Sequence, residues 1–170
     1  MGRQDHMEIK SLEDLLLQQL EGLYDAEARW LDQLPSVAEC VENESLRSAL
    51  AEQSAETSQQ INRLENAFAL TGLNPRRKRC EAMKGLIREC QQVVAAAADP
   101  HVKDAAVIAA IQKIKHYEIA AYGATRNFAM RCEQVGIADL MQQSLDEEGD
   151  ADQALTSLAE KIVNANAARI

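Results

Sequence analysis

Glu118 stands within Lys115-His116-Tyr117-Glu118-Ile119-Ala120-Ala121-Tyr122, inside a long helical apolar pattern. At about 100° per residue it points the way Val107, Ile111, Tyr122, Thr125 and Ala129 do. That stripe should face a core, and a carboxylate placed there is costly unless something compensates it. Similar residues recur at a regular interval. Glu27 precedes Glu56 by 29 residues, and Glu118 precedes Glu148 by 30. Each half of the chain thus supplies one lone Glu, then a Glu followed four residues on by a second oxygen donor: Gln60 after Glu56, Asp152 after Glu148. Residues four apart share a helix face, so each such pair can converge on one ion. Glu27 and Glu148 project within about 20° of the centres of their apolar stripes. Glu56 lies about 80° off its stripe, with Gln60 nearer the centre.

The candidate ligands Glu27, Glu56, Gln60, Glu118, Glu148 and Asp152 offer only oxygen. Such a set favours hard ions, iron or manganese, over zinc or copper(I), which prefer imidazole or thiolate. Five carboxylates against two divalent ions leave a nearly neutral interior, whereas without metal some carboxylates must take up protons to stay buried. Two adjacent iron ions bridged by carboxylates can bind and reduce dioxygen or peroxide. The expected chemistry is therefore that of a di-iron ferroxidase, oxidase or peroxide-consuming centre. Tyr24, Tyr117 and Tyr122 are placed to donate hydrogen bonds around it. His116 lies two residues before Glu118 and faces away. The competing reading is a bundle without metal, its acids bonded to one another or paired with Arg29, Arg63 and Arg126. Such a chain would serve as a non-enzymatic helical binding or scaffold protein.

Four long helices must position these groups. Ser11, with Asp14 three residues on, opens the first, whose inward face carries Leu12, Leu15, Leu16, Leu20, Leu23, Trp30, Leu31 and Leu34. Pro35 should bend or break it, although the pattern resumes through Val37 and Cys40. Asn43 caps a second helix with Leu46, Leu50, Ile61, Leu64 and Phe68 inward, and Gly72 and Pro75 end it. Residues 76–98 are too long for a hairpin. They hold the basic run Arg76-Arg77-Lys78-Arg79, then a short amphipathic helix with Met83, Leu86, Ile87, Cys90 and Val94 on one side. Asp99-Pro100 starts the third long helix, which runs to about Glu133 and is broken by Gly136. The fourth covers residues 137–164, with Leu140, Met141, Leu145, Leu155, Leu158 and Ile162 inward. The order predicts an all-α, ferritin-like four-helix bundle whose long crossover carries a short extra helix. Residues 1–10 read as a flexible lead-in and 11–166 as a single domain.

Composition narrows the class. Only 7 glycines, 3 prolines and 4% aromatics among 170 residues leave almost no strand signal. No apolar run approaches the ~20 residues of a membrane span. The opening residues lack both the apolar core of a secretory signal and a myristoylation pattern. A formal charge of −9 disfavours coating nucleic acid, so the run at 76–79 reads as a solvated turn offsetting nearby acids. Cys40, Cys80, Cys90 and Cys132 lack metal-ligand or redox spacing and read as reduced, small apolar residues of a cytoplasmic protein.

Several motifs, taken in order, carry a family resemblance: Leu23-Tyr24-Asp25-Ala26-Glu27, Glu56-Thr57-x-x-Gln60, Arg79-Cys80-Glu81-Ala82-Met83-Lys84-Gly85-Leu86-Ile87, His116-Tyr117-Glu118-Ile119-Ala120-Ala121-Tyr122-Gly123 and Glu147-Glu148-x-x-x-Asp152. Across residues 11–164 the chain resembles the YciE/YciF family of bacterial ferritin-like stress proteins, most specifically in the string around Glu118. The resemblance implies a helical bundle that forms a homodimer, a dinuclear metal centre and induction under stress. One departure is plain: the Glu-x-x-His signature usual in ferritin-like di-iron proteins is absent from the second and fourth long helices.

Overall fold

The structure, a computed structural model, describes residues 9–169. Of the expected lead-in, residues 1–8 lie outside the described residues. Helix α1 (Leu12–Glu39) begins in a capping box: Ser11 Oγ accepts from the Asp14 amide at 3.1 Å, and Asp14 accepts in return from the Ser11 amide at 3.0 Å. It passes through Pro35 without ending, so the break expected there does not occur. Pro35 is exposed, and the inward residues on either side of it, Leu34 and Val37, stay buried. Their packing holds the helix together across the lost hydrogen bond.

Helix α2 (Glu44–Thr71) is capped by Asn43 and stops at Gly72, whose φ of 74° is the left-handed conformation that glycine adopts without strain. Buried Asp104, on the third long helix, accepts from the amides of Glu42 and Asn43 at 3.0 and 2.8 Å and so fixes the α1–α2 connection. Helix α3 (Glu81–Ala95) forms the crossover and lies against α1 and α4 (Pro100–Arg131). Asp99 caps α4 by accepting from the His101 amide at 2.9 Å. Helix α5 (Val135–Leu158) follows, then a π turn (Ala159–Val163) and a last turn, α6 (Asn164–Ala167).

Around the bundle the neighbours are α1 with α2, α2 with α5, α5 with α4, and α4 with α1. Short connections between α1 and α2 and between α4 and α5 make each pair antiparallel, and residues 72–99 cross between the pairs. This is the ferritin-like bundle with a long crossover, and no strand occurs among the described residues.

Two local expectations are corrected. The α4–α5 break falls at Cys132–Gln134 instead of at Gly136, because Glu133 takes φ 59° and turns the chain. Gly136 lies inside α5, where a Cβ would come within 3.1 Å of the Leu70 side chain. Its small size serves that close approach. Ile162, expected inward, is 42% exposed, while Val163 is buried. The π turn inserts one extra residue, and the inward positions become Leu155, Ala159 and Val163.

The interior contains two apolar clusters. One holds Trp30 and Leu34 of α1, Leu46 and Leu50 of α2, Met83 of α3, Ile111 and Ile114 of α4, and Leu155 of α5. The other holds Leu20 and Leu23, Leu64 and Phe68, Tyr122 and Ala129, and Ile137 and Met141 from the same four long helices. Each long helix passes from one cluster to the other through buried polar residues: Glu27 on α1, Gln53, Thr57 and Gln60 on α2, Lys115 and Glu118 on α4, and Ser144 and Glu148 on α5. A polar layer divides the core.

The basic run straps the crossover to α1. Arg76 pairs with Glu21, Arg77 with Asp25 at 2.9 Å, and Arg79 with Glu81, while the Lys78 amide donates to the Glu21 carbonyl at 3.2 Å. Arg29 takes the other oxygen of Asp25 at 2.6 Å, and the Cys80 amide shares it at 2.9 Å. These partners hold the Asp25 carboxyl below its ordinary pKa despite its burial.

Candidate metal centre

Glu27, Glu118 and Glu148 meet in the polar layer. Each places a carboxylate oxygen within 4.8 Å of the others, and among the described residues no further Asp, Glu, His or Cys joins them. All three are almost wholly buried, at 0%, 0% and 1% exposure. The geometry follows from local sequence. Tyr122 lies four residues after Glu118 on the same stripe, and its hydroxyl donates to Glu27 Oε1 at 2.5 Å, tying α4 to α1. Gln60 of α2 donates to Glu148 Oε1 at 2.8 Å and to Glu147 at 3.2 Å, tying α2 to α5. Arg63, one turn further along α2, grips Glu147 through both guanidinium nitrogens at 2.6 and 2.5 Å.

The decisive group is one that periodicity alone did not single out. Lys115 is 1% exposed, and its ammonium donates to Glu118 Oε2 at 2.9 Å and to Glu148 Oε2 at 2.7 Å. A signal for it existed, because Lys115 falls four residues after Ile111 and three before Glu118 on the same buried stripe. Burial alone would lower its pKa, but Glu118, Glu148 and Glu27 outweigh that and hold it above the ordinary lysine value.

Burial acts on the acids in the opposite sense. It raises the Glu27 pKa to about 8, helped by the charge of Glu148 and opposed by Lys115 and Tyr122. Burial also lifts Glu118 well above the usual carboxylate range, against the pull of Lys115. At neutral pH Glu27 therefore holds its proton for most of the time. With the acids ionised, three buried oxygens here have no hydrogen-bond partner, Glu27 Oε2, Glu118 Oε1 and Gln60 Oε1, and of these a carboxyl proton can bridge only Glu27 and Glu118. In a native interior such atoms are rare and mark a place for a ligand or water.

The six expected ligands therefore divide. Glu27, Glu118 and Glu148 converge, and Gln60 touches Glu148 through its amide nitrogen, with its oxygen left unpartnered. Glu56 is half-buried at the edge of the layer, where burial and the charge of Glu147 raise its pKa. Asp152 is 17% exposed and lies outside the trio, accepting from Gln112 at 3.2 Å and lying 3.6 Å from His116 Nε2. The unpartnered oxygens suit a hard divalent ion. The ammonium does not suit a five-carboxylate, two-ion centre, because it holds two of the three convergent carboxylates itself.

The other tyrosines serve elsewhere. Tyr24 donates to Glu65 at 2.8 Å, and the Tyr117 hydroxyl lies 2.9 Å from Cys80 Sγ. Cys80 caps α3, and all four cysteines are free. No helix among the described residues is long and apolar enough to cross a membrane.

Comparison with known proteins places the chain. It is 36% identical over 162 residues to protein YciF of Escherichia coli K12, spanning 95% of this chain and 98% of that one. The crystal structure of the E. coli stress protein YciF superposes with a TM-score of 0.88 at 36% identity, covering 92% of this chain and 99% of the other. YcfI from Rhodopseudomonas palustris gives a TM-score of 0.86 at 35% identity, covering 92% and 98%. A Xanthomonas campestris pv. campestris protein, 19% identical, shares the fold with a TM-score of 0.71 over 94% and 98% of the two chains. The family model described as Domain of unknown function (DUF892) matches residues 11–168, and the chain belongs to that family, the YciE/YciF family its motifs resemble.

Proposed function

We propose that the protein is a ferritin-like stress-response protein whose polar layer takes up a divalent metal ion, iron or manganese, between α1, α4 and α5. One observation carries this reading: Glu27 and Glu118, two of three converging carboxylates drawn from three helices, each keep a buried oxygen that no protein donor reaches. Glu148 and Glu118 would be shared between the ion and Lys115, Gln60 would orient Glu148, and Tyr122 would orient Glu27. Bound iron would supply ferrous–ferric redox chemistry toward dioxygen or peroxide. The chain's own part is to exclude bulk water, supply oxygen donors and hold protons on the carboxylates while the site lacks a cation.

The test is anaerobic titration with ferrous iron and, separately, manganese, followed by metal analysis of the desalted protein and a melting curve. Uptake with a rise in melting temperature supports the proposal. Air added to the ferrous protein then tests turnover, since catalysis requires ferric product to form faster than from free iron. The Lys115 ammonium favours a second reading, in which the layer is a closed ion-pair core that needs no metal. A melting temperature indifferent to iron, manganese and chelator would decide for it.

A further inference from the structure

The polar layer contains a fixed positive charge as well as acids, and that charge occupies space a cation would need. The Lys115 ammonium lies 2.9 Å from one carboxylate of the trio and 2.7 Å from another. Those are the oxygens that two metal ions would otherwise have to share. We infer that Lys115 is a covalently attached stand-in for one cation, so that the site accepts a single divalent ion beside it instead of two. The inference rests on the metal-binding reading above and deepens it.

Charge and geometry support it separately. Three carboxylates and one ammonium carry two net negative charges when fully ionised, which one divalent ion neutralises. A second ion would leave a surplus of positive charge in a closed, desolvated interior, which is strongly disfavoured. The two remaining acids of the expected six-donor set are not available to absorb it: Glu56 stays at the half-buried edge and Asp152 is engaged with Gln112. The unpartnered oxygens are different atoms from those the ammonium holds. Glu118 gives Oε2 to Lys115 and leaves Oε1 without a partner, and Glu27 Oε2 is likewise unpartnered. One unpartnered set of donors and one engaged by the ammonium are what a single-ion site beside a lysine requires.

The experiment compares the parent chain with Lys115→Glu and Lys115→Gln, each refolded with and without ferrous iron or manganese under anaerobic conditions. Metal per chain and melting temperature are the readouts. The parent should hold one ion. The Lys115→Glu chain, with a fourth carboxylate in place of the ammonium, should hold two and depend on them to fold. Lys115→Gln keeps the size without the charge, and should hold one ion at least tenfold more tightly than the parent. Two ions in the parent would overturn the inference while leaving the metal-binding reading intact. A Lys115→Glu chain that loads no more than the parent, together with a Gln variant that binds no tighter, would also overturn it. No ion in the parent but two in Lys115→Glu would overturn native metal binding and, with it, the single-ion site. No ion in any chain would overturn both.

Discussion

Raising the pH of the metal-free protein should destabilise it, in a range where most proteins change little. The perturbation is the ionisation of Glu27. Its folded-state pKa, raised to about 8 by burial and then by Glu148, stands above the ordinary value of 4.5. A carboxyl shifted upward contributes stability that is full below the unfolded-state pKa and is lost as pH rises through the folded-state one. At 1.36 kcal/mol per unit, the loss amounts to about 2–3 kcal/mol between pH 5 and 7 and about 4 kcal/mol by pH 9. Glu118, shifted the same way, adds to it. Asp25 is shifted downward, so its contribution is constant above pH 5 and does not mask the slope. Urea denaturation in chelator at pH steps from 5 to 9 measures the effect. Glu27→Gln imitates the protonated acid, can still accept from Tyr122, and should flatten much of the slope. A parent whose stability is level or rises from pH 5 to 8 would refute the reasoning. So would a Glu27→Gln chain with an unchanged slope.

Lys115→Met should cost about 3–5 kcal/mol at pH 7, lowering the melting temperature by roughly 10 °C, because it strands buried carboxylates. Adding Glu118→Gln should restore part of that loss, and a double variant no more stable than the single one would count against the pair. Taking up one divalent ion should release protons at pH 7, about one of them from Glu27, measurable with an indicator dye in weak buffer. Gly149 is exposed on α5 with open space around its missing Cβ, so Gly149→Ala should stabilise the chain by about 1 kcal/mol in the same urea assay.

The bundle was readable because its helices announce themselves. Ser11 with Asp14, Asn43, Gly72 and Asp99-Pro100 all act where sequence places them, and most of each apolar stripe is buried as projected, with Cys40 and Ile162 the exposed exceptions. Glu27, Glu118 and Glu148 were legible for the same reason: a charged side chain at the centre of an apolar stripe can only point inward. Glu56, projected well off its stripe, is accordingly half-buried. Asp152 shares a face with Glu148 but lies outside the trio, because polar neighbours on α4 engage it. Lys115 was the main omission. A lysine next to a histidine in a mixed stretch looks like surface, and its role emerges only when α5 brings Glu148 across to it. The π turn left no mark either, since an inserted residue is visible only as a shift in which later side chains are covered.

The division of the interior into two apolar clusters has a consequence for how the helices are aligned. Each long helix contributes buried polar groups to this layer at one level, facing those of its neighbours. An all-apolar bundle tolerates the sliding of one helix past another by a turn, about 5.4 Å, at modest loss. Here the same slip would drive a carboxylate or the ammonium into a greasy layer and part it from its mate, at a cost of several kcal/mol. The polar layer thus acts as a vernier, admitting one axial setting of four otherwise interchangeable rods.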